Sequence, residues 1–414
     1  FNSMHPCLLV IGFVYPEPTS SAAGTRMVQL ITAFQEQGYS VTFATTCKKS
    51  DKAFDLESIG VKVEAIELNA SSFDEFIKTI NPTIVLFDRF MTEEQFGWRV
   101  AEHCPDALRI LDTEDLHFLR KARQKTLTTN QPLDSFLFTT DTAKRELASL
   151  YRSDLSLIIS EAEYTLLTQQ LKIEPSLLCY LPFMIEAKDC QPQTDCKPYN
   201  QRLDFVSIGN FLHPPNLDVV RYLKKDIWPK IRTVLPETKL HIYGAYNAEN
   251  SNEMHNEKEG FLVHGFVENA FDTLNSARVL LAPLRFGAGL KGKLILAMQA
   301  GAPCAMSSVA AEGMFGDLDP NGIVEDSSDE FAAQAVALYS SASKWEASHS
   351  QGFSVLKTRF EKHQHLLVLA ERIKSLLGHL EVHRAKNVIG QLLSHHQLQS
   401  TKYMARWIEA KNKL

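Results

Sequence analysis

The chain has 414 residues, enough for two domains of ordinary size, and its 44% hydrophobic and 22% charged residues match a globular protein with a sizeable core in each half. Its 43 Lys and Arg against 49 Asp and Glu leave a net charge of −6, which excludes a global basic field for nucleic acid, so any anion site has to be local. No stretch nears the ~18–20 apolar residues of a membrane span, and seven scattered cysteines without a CxxC indicate neither a disulfide framework nor a zinc site.

Phe1-Asn2-Ser3 ahead of Met4 reads as a cloning remnant, and the residues after Met4 lack the basic flank and cleavage site of a secretory leader. With Cys190 and Cys196 read as free thiols, a reducing, cytoplasmic location is expected.

In chain order, "CLLVIGFVY" predicts a strand and "GTRMVQLITAFQEQG" a helix ended by Gly38. The strands "SVTFATT" and "VKVEAIEL", the helix "SFDEFIKTI" and the strand "PTIVLFD" follow, then the helix "FGWRVAEHC" and the strand "LRILDTED". Apolar strands alternating with amphipathic helices predict a parallel sheet covered on both faces. Residues 186–202, "EAKDCQPQTDCKPYNQR", break this rhythm with prolines and polar groups, as a linker does. The alternation then restarts with "LDFVSIGNF", "LDVVRYLKKDIWPKI", "KLHIYGAY", "FLVHGFV", "ARVLLAPL", "APCAMSS" and "GIVED".

The expectation is therefore an α/β chain of two tandem Rossmann-like, doubly wound domains. The first spans residues 4–190, the linker 186–202 and the second 203–380. Helices over 381–414 are expected to pack back on the body, anchored by Tyr403 and Trp407. Ligands are expected at the carboxyl ends of the strands and between the domains.

The stretch "LRFGAGLKGKLILAMQAGAP", residues 284–303, carries the most chemistry. It leaves a strand, turns through glycines and enters a helix capped by Gly301. Gly287 and Gly289 allow close backbone approach, the first helical amides are free, and the helix N-terminus favours an anion. Arg285, Lys291 and Lys293 add full charges, which together describe a diphosphate cradle that needs no metal ion. A Walker loop is excluded, because neither lysine is followed by Ser or Thr.

These residues, continuing to "CAMSSVAAEG", resemble the donor-binding segment of glycosyltransferase family 4 (group 1), which has the two-domain GT-B fold. "PEPTSSAAGTRMVQLITAFQEQGYSVTFAT", "DTEDLHFLR", "LIISEAE" and "IGNFLHPPNLDVVRYL" resemble further parts of such enzymes, so the likeness covers most of the chain.

The resemblance implies transfer of a sugar from a nucleoside-diphosphate sugar, with retention and without a metal or other cofactor. The acceptor, whether glycan, lipid-linked or protein, carries no readable code. Arg285, Lys291 and Lys293 would hold the diphosphate, with Gly287 and Gly289 near the sugar. Glu312 matches a position where an acid follows the next strand. Leu296 departs from the pattern, since relatives place there an acid that binds the ribose. That departure motivates the alternative of a weak or inactive glycan-binding partner subunit; a nucleotide-sugar epimerase is a third reading.

Other candidates sit at predicted strand ends. Gly24 and Thr25 open the first helix, where amides face a phosphate or the transferred sugar. Arg26 is either a cleft cation or a helix-surface residue. Gly209 fits a tight approach to ligand, and His213 is either a ligand contact or a solvated loop residue. In relatives a His or acid after "ILDTED" faces the reacting sugar, which makes His117 the catalytic candidate, beside the alternative of a structural histidine or cap. Asp88, Arg89 and Asp115 would line the acceptor side. "DTED" is not flanked as a DxD-type metal dyad requires, and membrane association is not indicated, although "HFLRKARQK" offers a basic face.

Overall fold

A computed structural model describes residues 6–246 and 252–413. Seven strands make the first sheet: β1 (Cys7–Gly12), β2 (Ser40–Thr45), β3 (Lys62–Ala65), β4 (Ile84–Asp88), β5 (Leu108–Asp112), β6 (Leu155–Ile158) and β7 (Leu178–Tyr180). Six make the second: β8 (Leu203–Ile208), β9 (Leu240–Tyr243), β10 (Phe261–Gly265), β11 (Ala277–Ala282), β12 (Cys304–Met306) and β13 (Gly322–Val324). The orders are 3-2-1-4-5-6-7 and 10-9-8-11-12-13, with every pairing parallel. Both are doubly wound sheets whose order reverses beside β1 and β8, where a crevice opens at the strand carboxyl ends. The short β7 lies in "LLCYLPFMI", which the sequence reading did not resolve as a strand.

The apolar runs explain the layers. In β1, Leu8 and Val10 join one buried cluster with Phe34 and Ile110, while Leu9 and Ile11 join another with Phe87 and Phe96. Successive side chains point to opposite faces, so a strand apolar at every position needs helices on both sides. Each fully buried aliphatic side chain contributes about 1.5–3 kcal/mol.

The chain crosses between the domains twice, side by side. Ile185 donates its amide to the Phe360 carbonyl at 2.7 Å, and Lys362 donates to the Ile185 carbonyl at 3.0 Å. After the second crossing the helix Lys362–Gly378 lies on the first sheet, where Leu369, Ile373 and Leu376 complete the cluster around Leu8 and Val10. The expected second domain, 203–380, thus runs past its own sheet. An amphipathic helix reads alike whichever sheet it covers.

The last two helices, Leu380–Lys386 and Val388–Asn412, also lie against the first domain. Arg384 holds Asp154 with two 2.8 Å hydrogen bonds, and Lys402 meets Glu102 at 2.7 Å. Tyr403 and Trp407, expected as anchors, are each 60% exposed, whereas Ala405 between them is buried. The contact face needs a small residue close to the body, so the aromatics turn outward.

Candidate active site

A cleft of about 1110 Å3 opens between the carboxyl ends of the two sheets. Nine of the predicted residues line it: Thr25, Arg89, Asp115, His117, Gly209, His213, Gly287, Lys291 and Lys293. Five do not: Gly24, Asp88, Arg285, Gly289 and Glu312.

On the second domain, β11 ends in the glycine loop and the helix Gly292–Gln299 starts at its far side. Lys291 is the N-cap and makes no side-chain cap bond, so the first amides of this helix are not sealed by it. Its ammonium folds back onto the carbonyls of Ala288 and Gly289, both at 2.9 Å, and keeps a third proton to donate. Lys293 donates to Asn216 Oδ1 at 2.7 Å and keeps two. Burial lowers both: Lys293 to about 7, helped by Lys291, and Lys291 to about 8 against the pull of Glu312. At Lys291 burial outweighs the carboxylates of Glu312, Glu163 and Asp115, and Lys293 has no such partner among the described residues, so an incoming dianion would raise both. The Gly287 amide has no acceptor among the described residues, while its carbonyl takes a 2.8 Å bond from Arg123.

On the first domain, the start of the helix Arg89–His103 after β4 and the loop after β5 line the cleft. Arg89 (φ 70°) and Glu114 (φ 63°) both adopt the left-handed conformation at these neighbouring strand ends, and both line the cleft. Non-glycine residues held there cost of order 1–3 kcal/mol each, as is common where a chain aims side chains into a site. Glu114 is half-buried near Asp112 and Asp88, and its carboxyl is pushed well above the usual range, chiefly by desolvation. Asp115 stays well below that range: burial would raise it, but Arg120, His117 and His213 outweigh burial.

His117 begins the helix His117–Thr129, whose amides at His117 and Phe118 are capped by the buried Glu146 at 3.1 and 2.8 Å. Its Nδ1 lies 3.1 Å from the Asp115 carbonyl, with Asp115 and Glu146 carboxylate oxygens at 3.5 and 3.4 Å. Three oxygens around Nδ1 assign the proton there, which leaves Nε2 as the ring's acceptor. His213, across the cleft, is pulled to about 4 by burial and by Arg120, so it is neutral at pH 7.

The five residues outside the cleft each have a physical reason. The Gly24 amide donates to its own N-cap, Ser21 Oγ, at 3.0 Å, and a Cβ there would sit 2.4 Å from the Glu17 backbone. Gly24 makes room for protein, not for ligand. Thr25 reaches the cleft, yet its hydroxyl is spent on the Pro18 carbonyl at 3.3 Å. Asp88 is buried and accepts from the Phe13 amide at 2.9 Å. Arg285 points away, paired with Asp218 and lying 4.7 Å over the Tyr222 ring. Gly289 gives its amide to Glu163 of the first domain at 2.7 Å. Glu312 forms a two-bond pair with Arg123, at 2.9 and 2.7 Å, that ties the domains together. Arg26 is neither cleft nor surface: it is 1% exposed and bonded to Asp112 at 2.9 Å.

Sequence reasoning missed Arg120, which lines the cleft beside Asp115. Its spacing of three from His117 on one helix was a usable signal. The caps Glu146 and Glu163 had none, being remote in sequence from what they hold.

No described helix is long and apolar enough to cross a membrane, and the described residues contain no cluster of three or more metal-ligating side chains. All seven cysteines are free thiols.

Two parallel Rossmann-like sheets around a cleft, with a helical carboxyl-terminal segment, define the GT-B fold. Sucrose-phosphate synthase from Thermosynechococcus elongatus superposes with a TM-score of 0.70 at 14% identity, covering 90% of this chain and 99% of that one. Anabaena HepE, solved in complex with UDP-glucose, gives 0.65 at 11% identity over 90% and 100%. A glycosyltransferase from Rickettsia africae gives 0.63 at 10% over 91% and 99%. No curated protein sequence matches the chain. Residues 202–341 match the family described as "Glycosyl transferases group 1". The chain thus has the GT-B fold, and within its second domain residues 202–341 match the group 1 glycosyl transferase family.

Proposed function

We infer that the protein moves a sugar from a nucleoside-diphosphate sugar to an acceptor hydroxyl, with retention and without a metal ion. The observation that carries this reading is the pair Lys291 and Lys293 at an open helix N-terminus, facing His117 across the cleft. Two ammonium groups, the free Gly287 amide and the helix dipole supply the positive charge that a departing diphosphate needs. In the transfer, the bond from the sugar's C1 to the β-phosphate oxygen breaks and the acceptor oxygen takes C1. The acceptor's proton leaves on the phosphate. His117 Nε2 accepts a hydrogen bond from a hydroxyl of the transferred sugar, and Arg89, Glu114 and Asp115 line the side from which the acceptor comes.

The nucleoside would extend from the lysines along apolar residues of the same cleft, among them Ala245, Phe266, Val267, Leu284 and Leu296. The UDP-glucose bound by HepE, which shares the fold, supports a uridine donor. Calorimetric titration with nucleoside diphosphates and their sugars tests the reading: micromolar binding of at least one is expected, followed by turnover with an acceptor.

A second reading rests on Leu296. It is half-buried in the cleft and can accept no hydrogen bond from a ribose, which at about 1.5–3 kcal/mol for a charge-assisted bond weakens a donor ten- to a hundredfold. A partner subunit that has given up catalysis would bind none of the panel.

A further inference from the structure

We propose that Glu163 is a positioning residue that sets the two halves of the cleft in register by clasping one backbone amide from each domain. Glu163 lies on the short helix Glu161–Thr165 after β6 and is wholly buried. Its Oε1 accepts from the Leu116 amide at 3.0 Å, directly before His117, and from the Gly289 amide at 2.7 Å in the glycine loop of the other domain. Its Oε2 is buried with no partner among the described residues.

The loop is pressed close at this point. Gly289 has φ 66°, and a Cβ there would lie 2.9 Å from Asp115 Cβ and 3.4 Å from the Glu114 carbonyl oxygen. One carboxyl oxygen therefore fixes both the start of the His117 helix and the loop that leads into Lys291. Neither domain alone completes the arrangement. The kinetic consequence rests on the transferase reading of the cleft; the clasp itself concerns only how the two lobes meet.

The clasp also carries a proton. Asp115 faces Glu163 from the loop after β5 and Lys291 faces it from the glycine loop, with Glu312 and Arg123 beyond that lysine. Burial, reinforced by Asp115, raises Glu163 to about 8 despite the two amides that favour its charge. Released to solvent, a glutamate returns to about 4.3. The closed form then binds a proton more tightly than the open one. Closure is fully favoured below the open value, weakens by up to about tenfold per pH unit through the window, and levels off above about 8.

Hydrogen exchange on the whole chain tests this, read in the segments bearing Leu116–Phe118 and Leu284–Leu290. Wild type and Glu163→Gln, whose amide oxygen still accepts both bonds, should protect both segments. Glu163→Ala should speed exchange at least tenfold in both together. From pH 6 to 8, protection corrected for the intrinsic rate should fall at Gly289 in wild type and stay level in Glu163→Gln. Loss confined to the Leu116 segment, which a cap within one domain would give, overturns the proposal. So does a Glu163→Gln profile that follows wild type, a comparison that decides the matter even if Glu163→Ala does not fold. In turnover, Glu163→Ala should raise donor KM and lower kcat, with Glu163→Gln restoring both. Exchange results as expected without any nucleotide-sugar turnover would sink the transferase reading and leave the clasp standing; unchanged exchange with normal turnover would do the reverse.

Discussion

The two domains carry the same topological feature, a glycine-bearing loop from a strand into a helix at the interdomain cleft, and use it in opposite ways. In the first domain Ser21 caps the helix Ala22–Glu36, its Oγ takes the Gly24 amide, and the Glu17 backbone fills the space beside Gly24. The cap takes one amide there, while Ser21, Ala22 and Ala23 still line the cleft. In the second domain the N-cap is Lys291, which offers its helix no side-chain acceptor, and Lys291 and Lys293 stand in the opening. A glycine turn at a helix start is an anion site only where the protein leaves the amides without acceptors.

Mutations at the two loops should therefore separate binding from stability. The largest effect is expected from Lys291→Ala, which removes a full charge from the cradle. Donor kcat/KM should fall about a hundredfold or more while the melting temperature stays nearly unchanged, as steady-state kinetics and calorimetry would report. Ser21→Ala should do the reverse, costing about 1 kcal/mol of stability in denaturant titration and changing donor affinity less than about twofold. Smallest is Arg285→Ala. Its guanidinium is spent on Asp218 at the protein surface, so nucleotide affinity should not change measurably. A tenfold loss there would mean that the cleft is lined differently in solution.

The same contrast shows what the sequence exposed. Apolar strands alternating with amphipathic helices were enough for two doubly wound sheets, because burial on both faces leaves a mark in every strand. Lys291 and Lys293 were legible because they sit at the helix start itself. Arg285, in the same run of residues, was misread: its direction is set by Asp218, 67 positions away in the chain. Gly24 was readable in principle, since Ser21 stands three residues before it as a cap. The pairing of Glu163 with Gly289, 126 residues apart, leaves no local trace. Nor does the docking of Lys362–Gly378 on the first sheet, where one apolar face suits either domain.

The central claim is that Lys291 and Lys293, held partly neutral by burial, become charged on a nucleotide's diphosphate. At about pH 6 and below, a unit or more under both values, the two are already largely protonated and binding should exchange few protons through them. At pH 8.5, where values of about 8 and about 7 leave them largely neutral, a bound diphosphate should raise both and draw protons from solution. Calorimetric titration of UDP at pH 8.5 in two buffers of different ionisation enthalpy measures this directly. The account predicts uptake of about one to two protons per nucleotide, reduced in Lys293→Ala. Binding with no proton uptake, or uptake identical in the lysine variant, would contradict it.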